Sequence, residues 1–224
     1  MNGVGAVVFL IFLAIIPIVP LYIWFRARNF GRLRFLLCLA AGLLAVMAAG
    51  LAQSLFPLPN IYGGMGSILF SVFIRISLIE ELSRLFTLFL LFRFHYSRIP
   101  LPASSSTVPG AIHSFFGAPS GLAAGLGFAA GESIFYGLTD LSTALLRLFT
   151  ATPLHAACGA RIGTALGIFR AAPLRAVFLI ITAVLIHGMY NFLILNPGIP
   201  WFLPGLIALS AFASSLLSIK QGNS

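Results

Sequence analysis

The sequence predicts an all-α, polytopic transmembrane bundle of about seven spans, and three observations carry that expectation. Hydrophobic residues make up 60% of the 224-residue chain and charged residues 8%, with a mean hydropathy of +1.07, so its solvent is largely hydrocarbon. Apolar runs recur along the whole chain, each near the roughly 20 residues that a helix needs to cross a bilayer core. The basic residues gather between those runs, where a membrane protein keeps its topological signals.

Breaks at Pro, Gly and Arg place the runs at about 3–25, 35–56, 65–92, 119–138, 147–169, 174–195 and 201–219. The first run lacks a basic leader, is too long for a signal-peptide core and carries its charge afterwards, so it reads as a retained span. The third is overlong and is expected to tilt or bend. Between the third and fourth lies "RIPLPASSSTVPGAIHSFFGAP", too polar at its centre to span. No soluble domain or internal repeat is visible, so residues 1–224 read as one membrane domain with a core catalytic region at about 65–195. Arg26, Arg28, Arg32 and Arg34 follow span one, Arg93 and Arg98 follow span three, Arg170 and Arg175 precede span six, and Lys220 follows span seven. All share one side if the N-terminus is outside and the C-terminus cytoplasmic.

Composition also excludes functions. The formal charge of +9 is spread over membrane-flanking positions and does not form a nucleic-acid surface. Cys38 and Cys158 sit in separate apolar runs without metal-type spacing, which excludes a disulfide framework.

The acidic residues are the anomaly. There are four, Glu80, Glu81, Glu132 and Asp140, and the three glutamates lie inside apolar runs. A charge near the bilayer centre costs a few kcal/mol or more, so each is a functional-site candidate. At 1.5 Å per residue, Glu80 lies about 18 Å from the cytoplasmic end of its run and Glu81 about 16 Å. Glu132 and His187 lie about 20 Å up, and His155 about 21 Å. Five ionisable residues on four predicted helices therefore share one layer.

Faces agree with heights. Arg84 follows Glu81 by three and Glu80 by four, so it can pair with either. His187 and Asn191 are one turn apart and face the same neighbour. Gly121, Gly125, Phe128 and Glu132 share one face, as do His155, Gly159, Gly163 and Gly167; small residues at this spacing let membrane helices approach closely. Cys158 reads as packing, and His95 and His113 read as solvated.

Carboxylates and imidazoles in a dry layer support hydrolysis. A buried glutamate can take a proton from water while His and Asn hold the oxyanion of a tetrahedral intermediate. Equally, Glu132, His155 and His187 could hold zinc, leaving Glu80 or Glu81 as base. Spacing leaves both open. The competing class is a proton-coupled transporter using a Glu/His relay, which calls for a polar path to both faces and often repeated halves. A single layer and no repeat disfavour it.

The ordered motifs "EELSR", "GLGFAAGESIFYG", "RLFTATPLHAACGARIGTALGIF" and "LIHGMYNFL" resemble those of the PrsW family of intramembrane proteases, distant relatives of the type II CAAX prenyl endopeptidases in the CPBP superfamily. The resemblance implies an endopeptidase of the bacterial cytoplasmic membrane whose substrate is a membrane protein such as a single-pass anti-sigma factor. It implies Glu80, Glu81, Glu132, His155, His187 and Asn191 as catalytic residues, with Arg84 supporting where PrsW has lysine. Direct activation of water by Glu and His, with no cofactor, is the favoured chemistry; a divalent metal such as zinc is the alternative.

Overall fold

The computed structural model describes residues 3–56, 64–96, 117–196, 198–200 and 202–221; most of the polar loop, including His113, lies outside them. Among the described residues every regular element is a helix. The order is α1 (Gly3–Ile15), α2 (Ile18–Arg26), α3 (Arg32–Ser54), α4 (Met65–Leu69), a π-helical stretch (Phe70–Leu78), α5 (Ile79–Tyr96), α6 (Ala118–Gly137), α7 (Leu141–Phe149), α8 (Ala151–Ile168), α9 (Pro173–Ile194) and α10 (Leu203–Gln221).

Helices stand where the apolar runs are, with three departures. The first run kinks between α1 and α2, because Pro17 and Pro20 each remove a donor and crowd the carbonyl four residues back. The third keeps its length but widens into a π-helix just ahead of Glu80, a geometry that recurs at functional sites. The fifth breaks in two. Asp140 caps the short α7 by accepting from the backbone N–H groups of Ser142 and Thr143, each at 3.1 Å, and the helix restarts after Thr150 with Pro153 in its first turn. Arg147, expected at the edge of a span, therefore rides on a separate helix.

Among the described residues, four stretches are long and apolar enough to cross a membrane by length and composition: Val7–Arg26, Arg32–Ser54, Pro173–Ile194 and Leu203–Lys220. The central pair, α6 and α8, falls short of that standard for a physical reason. It faces protein, and carries Gly and Ala where the outer helices carry Leu and Phe.

That pair is the core. Residues Ser120 to Ala129 are buried without interruption, and His155 to Ala160 likewise. The glycines make the approach possible. A Cβ on Gly125 would stand 2.7 Å from the carbonyl carbon of His155, and one on Gly159 would stand 2.9 Å from the Cα of Gly125. Backbone meets backbone, as the small-residue stripes predict. Helix α3 flanks α6, α9 and α10 flank α8, and α5 packs on α3 and α8. The outward faces are apolar, with Leu36, Leu44, Met47 and Leu51 exposed on α3 and Leu174, Phe178 and Leu185 on α9, as a hydrocarbon solvent allows.

Candidate active site

Five of the sequence-selected ionisable residues and Arg84 meet in one buried cluster contributed by α5, α6, α8 and α9. Arg84 resolves its choice of partner. Its Nη2 lies 2.7 Å from Glu81 Oε1, with both side chains at 0% exposure. The same guanidinium donates to the His155 carbonyl at 3.3 Å, reaches His155 Nδ1 at 3.2 Å and lies over the Phe128 ring at 4.3 Å. A planar fork can serve all four partners at once, which a lysine ammonium cannot.

These contacts assign both imidazole tautomers. Arginine only donates, so His155 Nδ1 accepts and its Nε2 carries the proton, directed at Glu132 Oε2 2.6 Å away. His187 Nδ1 lies 2.8 Å from the ionised Glu81 Oε1 and donates to it, which leaves the Nε2 lone pair free. The two rings stand edge to face, 4.9 Å apart.

Glu80 is held differently. Its Oε1 accepts from Gln53 Nε2 at 3.2 Å. Its Oε2 is buried with no hydrogen-bond partner and lies 3.6 Å from His187 Nε2. Each of the two adjacent glutamates leaves its Oε2 buried without a hydrogen-bond partner, and they differ in what is held and what lies near: Glu81 Oε1 is bound by Arg84 and His187, whereas the open Oε2 of Glu80 lies beside the open His187 Nε2.

Glu132 closes the other end, where Arg147 pairs with its Oε2 and also lies over the Tyr136 ring at 4.3 Å. Glu132 and Arg147 keep 16% and 12% exposure, so the cluster opens on their side and is sealed at Arg84. Asn191 sits one turn beyond His187, half-buried, and its side chain makes no hydrogen bond to another described residue. It joins the layer without joining the network. Cys158 packs, its thiol directed at the Ala183 carbonyl. A cavity of about 320 Å³ between α2, α8 and α10, lined by Pro17, Leu126, Pro153 and Phe212, includes none of the ionisable residues.

Glu80 and His187 offer open donor atoms to a divalent metal, and His155 would join them only in its other tautomer, without its contacts from Nδ1 to Arg84 and from Nε2 to Glu132. One ligand atom each from Glu80, His155 and His187 falls within 4.8 Å of the others, so Glu80 stands where the sequence reading put Glu132. The orphaned Glu80 Oε2 and the free His187 Nε2 have the separation of atoms that share an ion rather than a proton. Glu81 behind His187 supplies the outer carboxylate that metal-binding histidines commonly have.

The family model of PrsW family intramembrane metalloproteases matches residues 31–217. The chain belongs to the PrsW family. It is thus an integral membrane protein of an intramembrane protease family, and the match spans every helix from α3 to most of α10. No curated protein and no solved structure matches the chain. Sequence reasoning missed two members of this PrsW cluster, Gln53 and Arg147. The signal for each was a long polar side chain in an apolar run, Gln53 in "GLAQSLF" and Arg147 in "ALLRLF".

Proposed function

We propose that this PrsW-family protein is an intramembrane endopeptidase that hydrolyses a peptide bond of a membrane-protein substrate, with Glu80 as the group that activates water. The carrying observation is a placement: the buried, unpartnered Glu80 Oε2 lies 3.6 Å from the free His187 Nε2, while Glu81 is held through Oε1 by the Arg84 cation and the His187 Nδ1 proton. A water lodged there directs its two hydrogens at two acceptors, Oε2 and Nε2, which leaves an oxygen lone pair facing outward to a carbonyl carbon. Glu80 then takes the proton at Oε2 as the new C–O bond forms. Glu81 fixes the His187 tautomer through Nδ1, and Arg84 fixes Glu81. The Asn191 amide, one turn beyond His187, donates to the oxyanion. Glu132, oriented by Arg147 and His155, holds the open side of the site, and Glu80 passes the proton it took from water to the leaving amine as the C–N bond breaks.

Glu80 and His187, joined by His155 in its other tautomer, would hold a divalent ion, and such an ion would polarise the scissile carbonyl and lower the pKa of water.

Seven crossings follow if α6 and α8, 20 and 18 residues long, span alongside the four apolar stretches and the α4 to α5 run. The basic residues then put the N-terminus outside and the site slightly toward the outer leaflet. A single-pass membrane protein cut near its outer end, such as an anti-sigma factor, is the substrate class that this depth and the family support.

The test is co-expression with a panel of tagged single-pass membrane proteins, comparing wild type with Glu80→Gln at equal abundance. Fragments made only by wild type support the assignment, and their persistence in Glu80→Gln overturns it. Repeating the cleavage in purified form with a chelator, then with zinc restored, decides the metal.

A further inference from the structure

Gln53 belongs to none of the motifs that mark the family resemblance, yet it is the residue that touches the free glutamate. It sits on the last turn of α3, and its Nε2 donates to Glu80 Oε1 at 3.2 Å. Its own backbone is tied at this point, because the Gln53 carbonyl accepts from Phe56 N at 3.2 Å and from Arg75 Nη2 at 3.4 Å. The amide is thus presented from an anchored position rather than from a free helix end.

We propose that Gln53 is a positioning residue for Glu80, holding Oε1 so that Oε2 alone faces His187. The inference rests on the role assigned to Glu80 above. A glutamate side chain has three torsions, and its carboxylate oxygens exchange freely unless one is held. The Gln53 amide holds one without adding charge. That is the difference from Arg84, whose guanidinium neutralises Glu81 and commits it; a neutral donor orients Glu80 and leaves its negative charge available to accept a proton. Gln53 is half-buried, and Glu80 is the partner that its side-chain amide has among the described residues. Whether Oε2 meets water or an ion, the constraint on Oε1 is the same.

The experiment uses the full-length protein in lipid nanodiscs, with glutamate carboxyls carbon-13 labelled. The chain has three glutamates, so the infrared carboxylate band absent from Glu80→Gln identifies Glu80. Gln53→Met keeps the side-chain length and removes the donor, and Gln53→Leu serves as a second variant. The expected result is a displaced Glu80 band in both, together with a fall in kcat of about 10–100-fold and KM within about twofold of wild type. A packing role would instead leave the band in place and lower the amount of folded protein. An unmoved Glu80 band with unchanged kcat overturns the proposal. If wild type shows no Glu80-dependent cleavage, the catalytic reading falls. The band alone then decides whether Gln53 holds Glu80: displaced supports the contact, unmoved refutes it.

Discussion

Replacing Arg84 with methionine removes the only cation paired with Glu81 among the described residues while keeping much of the side-chain volume. Both side chains of the pair have 0% exposure, so Glu81 is left as a buried charge with only the His187 Nδ1 proton to face it. Breaking such a pair from one side costs about 3–5 kcal/mol. For a chain of this size that lowers the melting temperature by on the order of 6–20 °C. The assay is intrinsic tryptophan fluorescence on heating the detergent-purified protein. The decisive comparison is the double variant Arg84→Met/Glu81→Leu, which removes both charges and should recover most of the loss, since the penalty lies in the stranded carboxylate rather than in the missing attraction. An Arg84→Met protein melting within about 1 °C of wild type, or a double variant no more stable than the single, would refute this account of the site.

Glu80→Gln keeps shape and the Gln53 contact within reach, so cleavage should drop by about 100-fold or more while the melting temperature stays close to wild type. Gly125→Ala puts a methyl 2.7 Å from the His155 carbonyl carbon. It should destabilise by about 1–3 kcal/mol and lower activity in parallel, read from melting and cleavage on the same preparation. Arg147→Gln should weaken activity more than stability, because its partner Glu132 lies at the open end of the cluster; a selective loss of folded protein would contradict that. Asp140 is outside the spans, and hydrogen bonds from the Thr143 and Ser142 side chains hold its carboxyl down to about 2 from 3.8. Its cap on α7 is therefore fully present above about pH 4 and lost as pH falls toward 2, so amide exchange in residues 141–149 should rise over that window in wild type and already be fast in Asp140→Ala.

Much of this protein was legible without coordinates. Composition determined a membrane protein, because a chain this apolar has no other solvent. The apolar runs located the helices, and the placement of Glu80, Glu81, Glu132, His155 and His187 along them determined a common height. The glycine stripes marked the faces of α6 and α8 that could approach another backbone, and the structure decided that they approach each other. What periodicity reports is height along a helix and the face on which a residue lies. It does not report which of two side chains on a face comes within hydrogen-bonding distance of a third helix. The commitment of Arg84 to Glu81, the open Oε2 of Glu80, and the entry of Glu80 beside His155 and His187 were therefore decided by tertiary structure. So were the parts played by Gln53, which lies outside the motifs, and by Arg147, which opens one of them, since both reach the cluster only through packing. The break at Thr150 shows the same limit from the other side: an apolar run is continuous in sequence, but a cap at Asp140 and a proline at 153 turn it into two helices, and that turn is what carries Arg147 to Glu132.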